Sequence, residues 1–214
     1  APKQSWPALF TTIWQNMNEK HILMYFFNED FQNAAENINV AGRIKEYDGD
    51  YLHINDSNFG GAKTNMFTSQ TVDQEIVVEV DTLTKTITIT YKNPRKGDNC
   101  NLEAGKLCLN GKMPNWTRVY LPKDAVVSEV LGFNNDTVKE SEELGKKVVE
   151  GYFELNPESQ AKIKLTVKFP IKGDNYRLFI QKQPGTKNSA YTVKLAEAEQ
   201  AFDLETDKEV ILNW

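Results

Sequence analysis

The chain has 214 residues, 30 of them acidic and 25 basic, giving a net charge of −5, with 40% hydrophobic and 11% aromatic residues. That length supports one large domain or two small ones with cores of their own, so stability requires no metal, and no cofactor is expected. Only Arg43, Arg95, Arg118 and Arg177 are arginine and no basic stripe exists to neutralise a phosphate backbone, which argues against nucleic acid as a partner.

Residues Ser5 to Lys20 are predicted to form an amphipathic helix. Trp6, Leu9, Phe10, Ile13, Trp14 and Met17 recur at spacings of three and four, with Thr11, Thr12, Gln15 and Asn16 opposite. Ser5 suits the N-cap and Pro7 the first turn. Core packing of the stripe is expected in preference to a membrane-surface or partner-helix face, because the polar face carries no Lys or Arg cluster.

The longest apolar run, His21 to Phe27, is far short of the roughly 20 residues needed to cross a bilayer, so any membrane attachment is expected through an anchor outside this sequence. Its Ile22 to Phe27 portion reads as a buried strand. A second helix is expected after the Asn28 cap, with Phe31, Ala34, Ala35 and Ile38 on its inner face. Another short strand, Tyr51 to Asn55, follows the turn Asp48-Gly49-Asp50. This order predicts a small α/β segment over residues 1–70, the tail of a larger domain.

From about residue 71 the pattern becomes period two. Ile76, Val78 and Val80 are read as one face of a strand, and after a turn at Asp81 to Lys85 the residues Ile87, Ile89 and Tyr91 continue a hairpin. Further strands are expected at Trp116 to Leu121, Val126 to Phe133, Lys147 to Leu155, Ala161 to Phe169, Tyr176 to Gln181, Tyr191 to Leu195 and Glu209 to Leu212. Lys139 to Lys147 is read as a solvated acidic loop. The resulting fold class is α+β: a mainly-β, antiparallel, Ig-like β-sandwich over 71–214, preceded by the α/β segment. The Cys, Trp, Cys pattern of true immunoglobulin domains is absent.

Between these strands lie the two cysteines, Cys100 and Cys108, in a segment rich in Gly, Asn and Lys. A disulfide is expected, stabilising by roughly 2–3 kcal/mol and implying an oxidising compartment. Asp98, Asn99, Asn101 and Glu103 offer oxygen atoms without the spacing of a calcium loop, and no metal site is assigned.

Two polar clusters stand out as candidate binding residues. Asp56, Asn58 and Lys63 lie in the segment Asn55 to Asn65 at a strand end, where Gly60-Gly61 would allow backbone N–H groups to approach a ligand. The alternative is that Asp56 and Asn58 bond the backbone of a turn while Lys63 pairs with a carboxylate. Gln181 and Gln183 precede the tight turn Pro184-Gly185. The two clusters are expected to dock together and fix the sandwich to the N-terminal segment. No nucleophile elbow or zinc-binding His motif is found, and no catalytic residue is assigned.

The segments Tyr51-Leu52 through Asp56-Ser57-Asn58-Phe59-Gly60-Gly61-Ala62-Lys63 and Tyr176-Arg177-Leu178 through Gln181-Lys182-Gln183-Pro184-Gly185 resemble the C-terminal part of the bacterial domain-of-unknown-function family numbered four thousand and twelve. His21-Ile22-Leu23-Met24-Tyr25-Phe26, Ala41-Gly42-Arg43 and Val72-Asp73 agree with it in order. The resemblance spans nearly the whole chain and implies a membrane-anchored protein facing outside the cell. It carries over no catalytic residues. It also implies a further N-terminal domain, distantly similar to the LytR-CpsA-Psr enzymes that attach polymers to the cell wall. The expected function is therefore an extracytoplasmic structural or interaction module of an envelope protein, cell-surface or secreted, without catalysis of its own. Its expected partners are that N-terminal domain and an envelope polymer or surface protein. The alternative is a fragment of an enzyme that transfers or processes an envelope polymer.

Overall fold

A computed structural model describes residues 5–101 and 103–213. Two helices, α1 (Trp6–Asn18) and α2 (Glu29–Asn37), precede twelve strands: β1 (Asp50–Asn58), β2 (Ser69–Val78), β3 (Thr82–Asn93), β4 (Met113–Pro122), β5 (Val126–Leu131), β6 (Lys139–Glu143), β7 (Lys146–Leu155), β8 (Ser159–Pro170), β9 (Asn175–Gln181), β10 (Ser189–Leu195), β11 (Ala198–Leu204) and β12 (Lys208–Asn213). They form two six-stranded sheets, ordered β12-β9-β1-β4-β7-β6 and β11-β10-β2-β3-β8-β5.

One apolar core, drawing residues from both sheets, joins the layers as in a sandwich. On β8, Ile163, Leu165 and Val167 are fully buried and alternate with lysines and threonine, the pleat sending every second side chain inward. Ile87, Ile89 and Tyr91 on β3 meet them from the neighbouring strand, with Ile87 opposite Leu165. The turn after β5 requires glycine: Gly132 has φ +94°, and a Cβ there would lie 2.0 Å from the Lys162 carbonyl oxygen.

The N-terminal expectations meet the largest differences. The strand read at Tyr51 to Asn55 exists as part of β1, but it belongs to the interior of the first sheet, antiparallel to β4 and parallel to β9. A second parallel pair, β2 with β10, departs from the all-antiparallel expectation. Tyr51, Leu52, His53 and Ile54 are all buried because Leu52 and Ile54 face the core while Tyr51 packs on the outer face with Tyr120 and Val148 beneath Ile44 and Tyr47. No strand forms at Ile22 to Phe27; this irregular segment is exposed throughout.

The α1 stripe is also not core. Trp6, Leu9, Phe10, Ile13 and Trp14 are exposed and only Met17 is buried, in a small cluster with Ala35, Val40 and Ala41. On α2, Asn28 caps as expected through Phe31 N–H to Asn28 Oδ1, 3.1 Å. Its inner face, however, is Gln32 and Ala35, with Phe31 and Ile38 exposed.

Within the sheets, the β2–β3 turn falls at Glu79 to Asp81, so Lys85 lies inside β3. The buried face of β2 is Val72, Gln74 and Ile76, leaving Val78 and Val80 exposed. Of the four edge strands, β6 and β11 are additional to those expected, and lie at the ends opposite β12 and β5. The acidic loop at 139–147 thus contains a strand, in which Lys139 faces Glu150 and Glu142 faces Lys147 on β7. Charge on an edge strand deters pairing with another chain.

Candidate binding site

The C-terminal end of β1 carries Asp56, and three strands and the turn after β9 converge on it. Tyr91 of β3, Asn115 and Thr117 of β4, and Gln70 of β2 all donate to its carboxylate: Tyr91 at 2.9 Å, Asn115 at 2.8 Å and Gln70 at 2.9 Å, with Thr117 Oγ1 closing the ring. Gln183, beyond β9, pairs with the Asp56 backbone in both directions, accepting from its N–H at 2.8 Å and donating to its carbonyl at 2.9 Å. The side chain extends the β-ladder where the strand itself has ended. Because Gln70 and Tyr91 belong to one sheet and Asn115 and Thr117 to the other, Asp56 is a polar clamp between the layers.

Asp56 remains partly accessible although it lies deep among protein atoms, because it forms the floor of a cavity of about 550 Å³. Desolvation pushes its carboxyl pKa up, opposed by the hydrogen bonds from Thr117, Asn115, Tyr91 and Gln70. The walls include Tyr91, Tyr191 and Phe67, and the rim is rich in carboxamides, among them Asn58, Asn65 and Asn188.

Of the five binding residues expected from the sequence, Asp56, Asn58 and Gln183 line this cavity, whereas Lys63 and Gln181 do not. Asn58 holds its own turn, accepting from Gly60 N–H at 2.7 Å and donating to the Ala62 carbonyl at 3.2 Å. Lys63 is exposed and makes no ion pair among the described residues. Gln181 serves a different junction: its amide donates to the Arg43 carbonyl at 2.8 Å and accepts from Lys45 N–H at 3.0 Å and the Tyr51 hydroxyl at 2.6 Å. The Gln181 carbonyl accepts from His53 Nδ1 at 2.9 Å, which places the ring proton on that nitrogen.

The turn following Gln181 holds the helical segment. Gly185 N–H donates to the Lys20 carbonyl at 3.0 Å, and Lys182 Nζ to the Glu19 carbonyl at 2.9 Å. Lys20 and Asp207 form a buried ion pair at 2.6 Å, and Asp207 also accepts from Lys182 N–H at 2.9 Å. Burial lowers the Lys20 pKa, and Asp207 opposes that effect. Nothing in the periodicity marks Lys20 as an inward lysine.

A second buried ion pair was also illegible in the sequence. Lys85 of β3 reaches across the core to Asp50 at the start of β1, which also accepts from the Tyr176 hydroxyl. Nearby, at the opposite end of β1, a cavity of about 520 Å³ is bordered by charges that pair with one another, Lys172 with Asp124 at 3.0 Å and Arg177 with Glu209 at 2.9 Å.

Cys100 and Cys108 are joined as a disulfide. Asp98 ties its loop down, accepting from Leu109 N–H at 3.1 Å and Asn110 N–H at 2.7 Å. Among the described residues no group of three or more His, Cys, Asp or Glu side chains is placed to hold a metal, and no helix is long and apolar enough to cross a membrane.

The most exposed apolar surface lies in the helical segment. Of the 23 large apolar residues exposed among the described residues, 13 fall between Trp6 and Ile38, so exposed apolar side chains concentrate in this stretch of the sequence. Phe27 is 95% exposed, Phe10 and Tyr25 71% each.

No protein-family model matches the chain, and no curated protein matches it. Among solved structures it is similar to a putative nutrient binding protein from Legionella pneumophila, at 8% identity and a TM-score of 0.35, over 76% of this chain and 70% of that one. It is also similar to a two-domain M1 zinc metallopeptidase mutant bound to L-tryptophan, at 10% identity and a TM-score of 0.28. The same kind of peptidase bound to L-arginine matches at 11% identity and a TM-score of 0.28; either match covers 64% of this chain and 39% of the peptidase. Likenesses at these TM-scores carry no argument about fold or function.

Proposed function

We propose that the chain is an extracytoplasmic interaction module of a bacterial envelope protein, an Ig-like sandwich that docks through its N-terminal helical face against a neighbouring domain of the same protein. The carrying observation is the set of exposed apolar side chains on α1, residues 22–27 and α2. Six aromatic rings there, each more than half exposed, amount to roughly 500–1,000 Å² if a whole ring side chain presents about 150–250 Å². Patches beyond a few hundred Å² mark interaction sites, and a stable interface takes about 800 Å² from each partner. A 13-residue helix is marginal in water without packing on one face. No charged side chain occurs from Ser5 to Asn18, which suits burial against protein and gives an anionic membrane surface nothing to attract.

The disulfide and the family resemblance support the extracytoplasmic placement. Hydrogen exchange tests the docking. In the full-length parent, amides of residues 6–31 should exchange more slowly than in this chain alone; equal rates would refute a docked helical face.

A further inference from the structure

We infer that the cavity above Asp56 is a binding site for a neutral, polyhydroxylated ligand, a sugar unit of an oligosaccharide or polysaccharide. This goes beyond the docking role and rests on a different feature, the open end of the sandwich. The volume, about 550 Å³, lies within the range of small-molecule sites, and the lining decides the chemistry.

An anion is disfavoured. The floor is a carboxylate, and the two lysines at the cavity are engaged, Lys187 on the Met66 carbonyl and Lys182 on the Glu19 and Glu205 carbonyls and Asn188 Oδ1. A cation is disfavoured too, because the Asp56 oxygens already accept from four neutral donors, so a cation would have to displace one of them. A wholly apolar ligand would strip water from the rim carboxamides without replacing their hydrogen bonds.

What the lining does offer is groups that both donate and accept, matched to hydroxyls that do the same. The Tyr191 hydroxyl has no hydrogen-bond partner among the described residues, and its ring stacks on Phe202 at 5.9 Å, which holds it in place. Asn65 is exposed and makes one long contact, 3.4 Å from Asn58 Nδ2. The inner carboxamides, Gln70, Asn115 and Gln183, are fixed by their bonds to Asp56 and form a preorganised wall.

The test titrates this chain with soluble N-acetylglucosamine and glucose tetramers, against a galacturonate oligomer and a glucosamine oligomer as anionic and cationic comparators. Side-chain amide resonances of Asn65, Gln70, Asn115 and Gln183 provide the readout. A neutral tetramer should give saturable shifts with Kd at or below about 1 mM. Tyr191→Phe and Asn65→Ala, both outside the Asp56 clamp, should each weaken binding by about fivefold or more, a loss near 1 kcal/mol, without moving the unfolding midpoint. Co-sedimentation with an insoluble neutral polysaccharide then distinguishes a polymer from a free sugar. The inference is overturned if no neutral tetramer gives a saturable shift up to about 10 mM, if either charged oligomer binds more tightly, or if both variants bind as the parent does. Exchange in residues 6–31 is read separately, so failure here leaves the docking role standing.

Discussion

Replacing Gln74 by Met should stabilise the protein. Gln74 lies on β2 between Val72 and Ile76, opposite Ile87 of β3 and Val193 of β10, and is 2% exposed. Neither its Oε1 nor its Nε2 has a hydrogen-bond partner among the described residues. A buried polar group left unmade costs about 1–3 kcal/mol, and a thioether of nearly the same length removes both orphaned atoms while keeping the volume. The expected gain is about 1–3 kcal/mol, which for a chain of this size raises Tm by about 2–4 °C per kcal/mol. Equilibrium urea unfolding is the assay, with a higher midpoint at unchanged slope. Gln181→Met is the control: the same exchange at a carboxamide bonded to Arg43, Lys45 and Tyr51 should lose about 1–3 kcal/mol. If Gln74→Met is neutral or destabilising, the amide has a partner, such as an enclosed water, and the reasoning fails.

Burial holds the His53 pKa below its ordinary 6.5, against the pull of the Gln181 carbonyl and Asp207. The unfolded chain therefore takes up the proton first, so this histidine's contribution to stability is lost as pH falls from about 6.5 through the depressed folded value, at up to about 1.4 kcal/mol per pH unit. His53→Gln should flatten that limb of the stability–pH curve; an unchanged slope would show that the ring charges freely in the fold. Lys85→Met leaves Asp50 buried without its cation and should cost about 3–5 kcal/mol, while adding Asp50→Asn should recover part of the loss; additive costs in urea unfolding would contradict the pairing. Reducing Cys100–Cys108 should lower stability by roughly 2–3 kcal/mol and raise the intact mass by two hydrogen atoms, and an unchanged mass would exclude the bond in the isolated protein.

Period-two alternation made the sandwich strands legible, because a strand with one face on the core must alternate: Ile163, Leu165 and Val167 are inward as the pattern requires. The close pair of cysteines and the Asn28 cap were legible for the same reason, each being a local device confined to a few residues. The edge strands β6 and β11 were not, since a strand with little of either face buried leaves no apolar period to read. Nor does alternation identify a partner: the order of elements put the β1 strand in a small α/β segment, and only the tertiary fold places it between β4 and β9, 57 and more residues away.

The candidate site divides in the same way. Composition singled out Asp56, Asn58 and Gln183, because polar side chains clustered at strand ends need partners. Which partners they take depends on chain crossings between two sheets, and these sent Gln183 to Asp56, Gln181 to Arg43 and Lys45, and Lys63 to solvent. The helical stripe shows the limit most plainly. Spacing alone determined that Trp6, Leu9, Phe10, Ile13 and Trp14 share one face of α1. Whether that face is buried depends on what the rest of the chain puts beside it, and the sandwich, whose two sheets already close on each other, leaves it exposed.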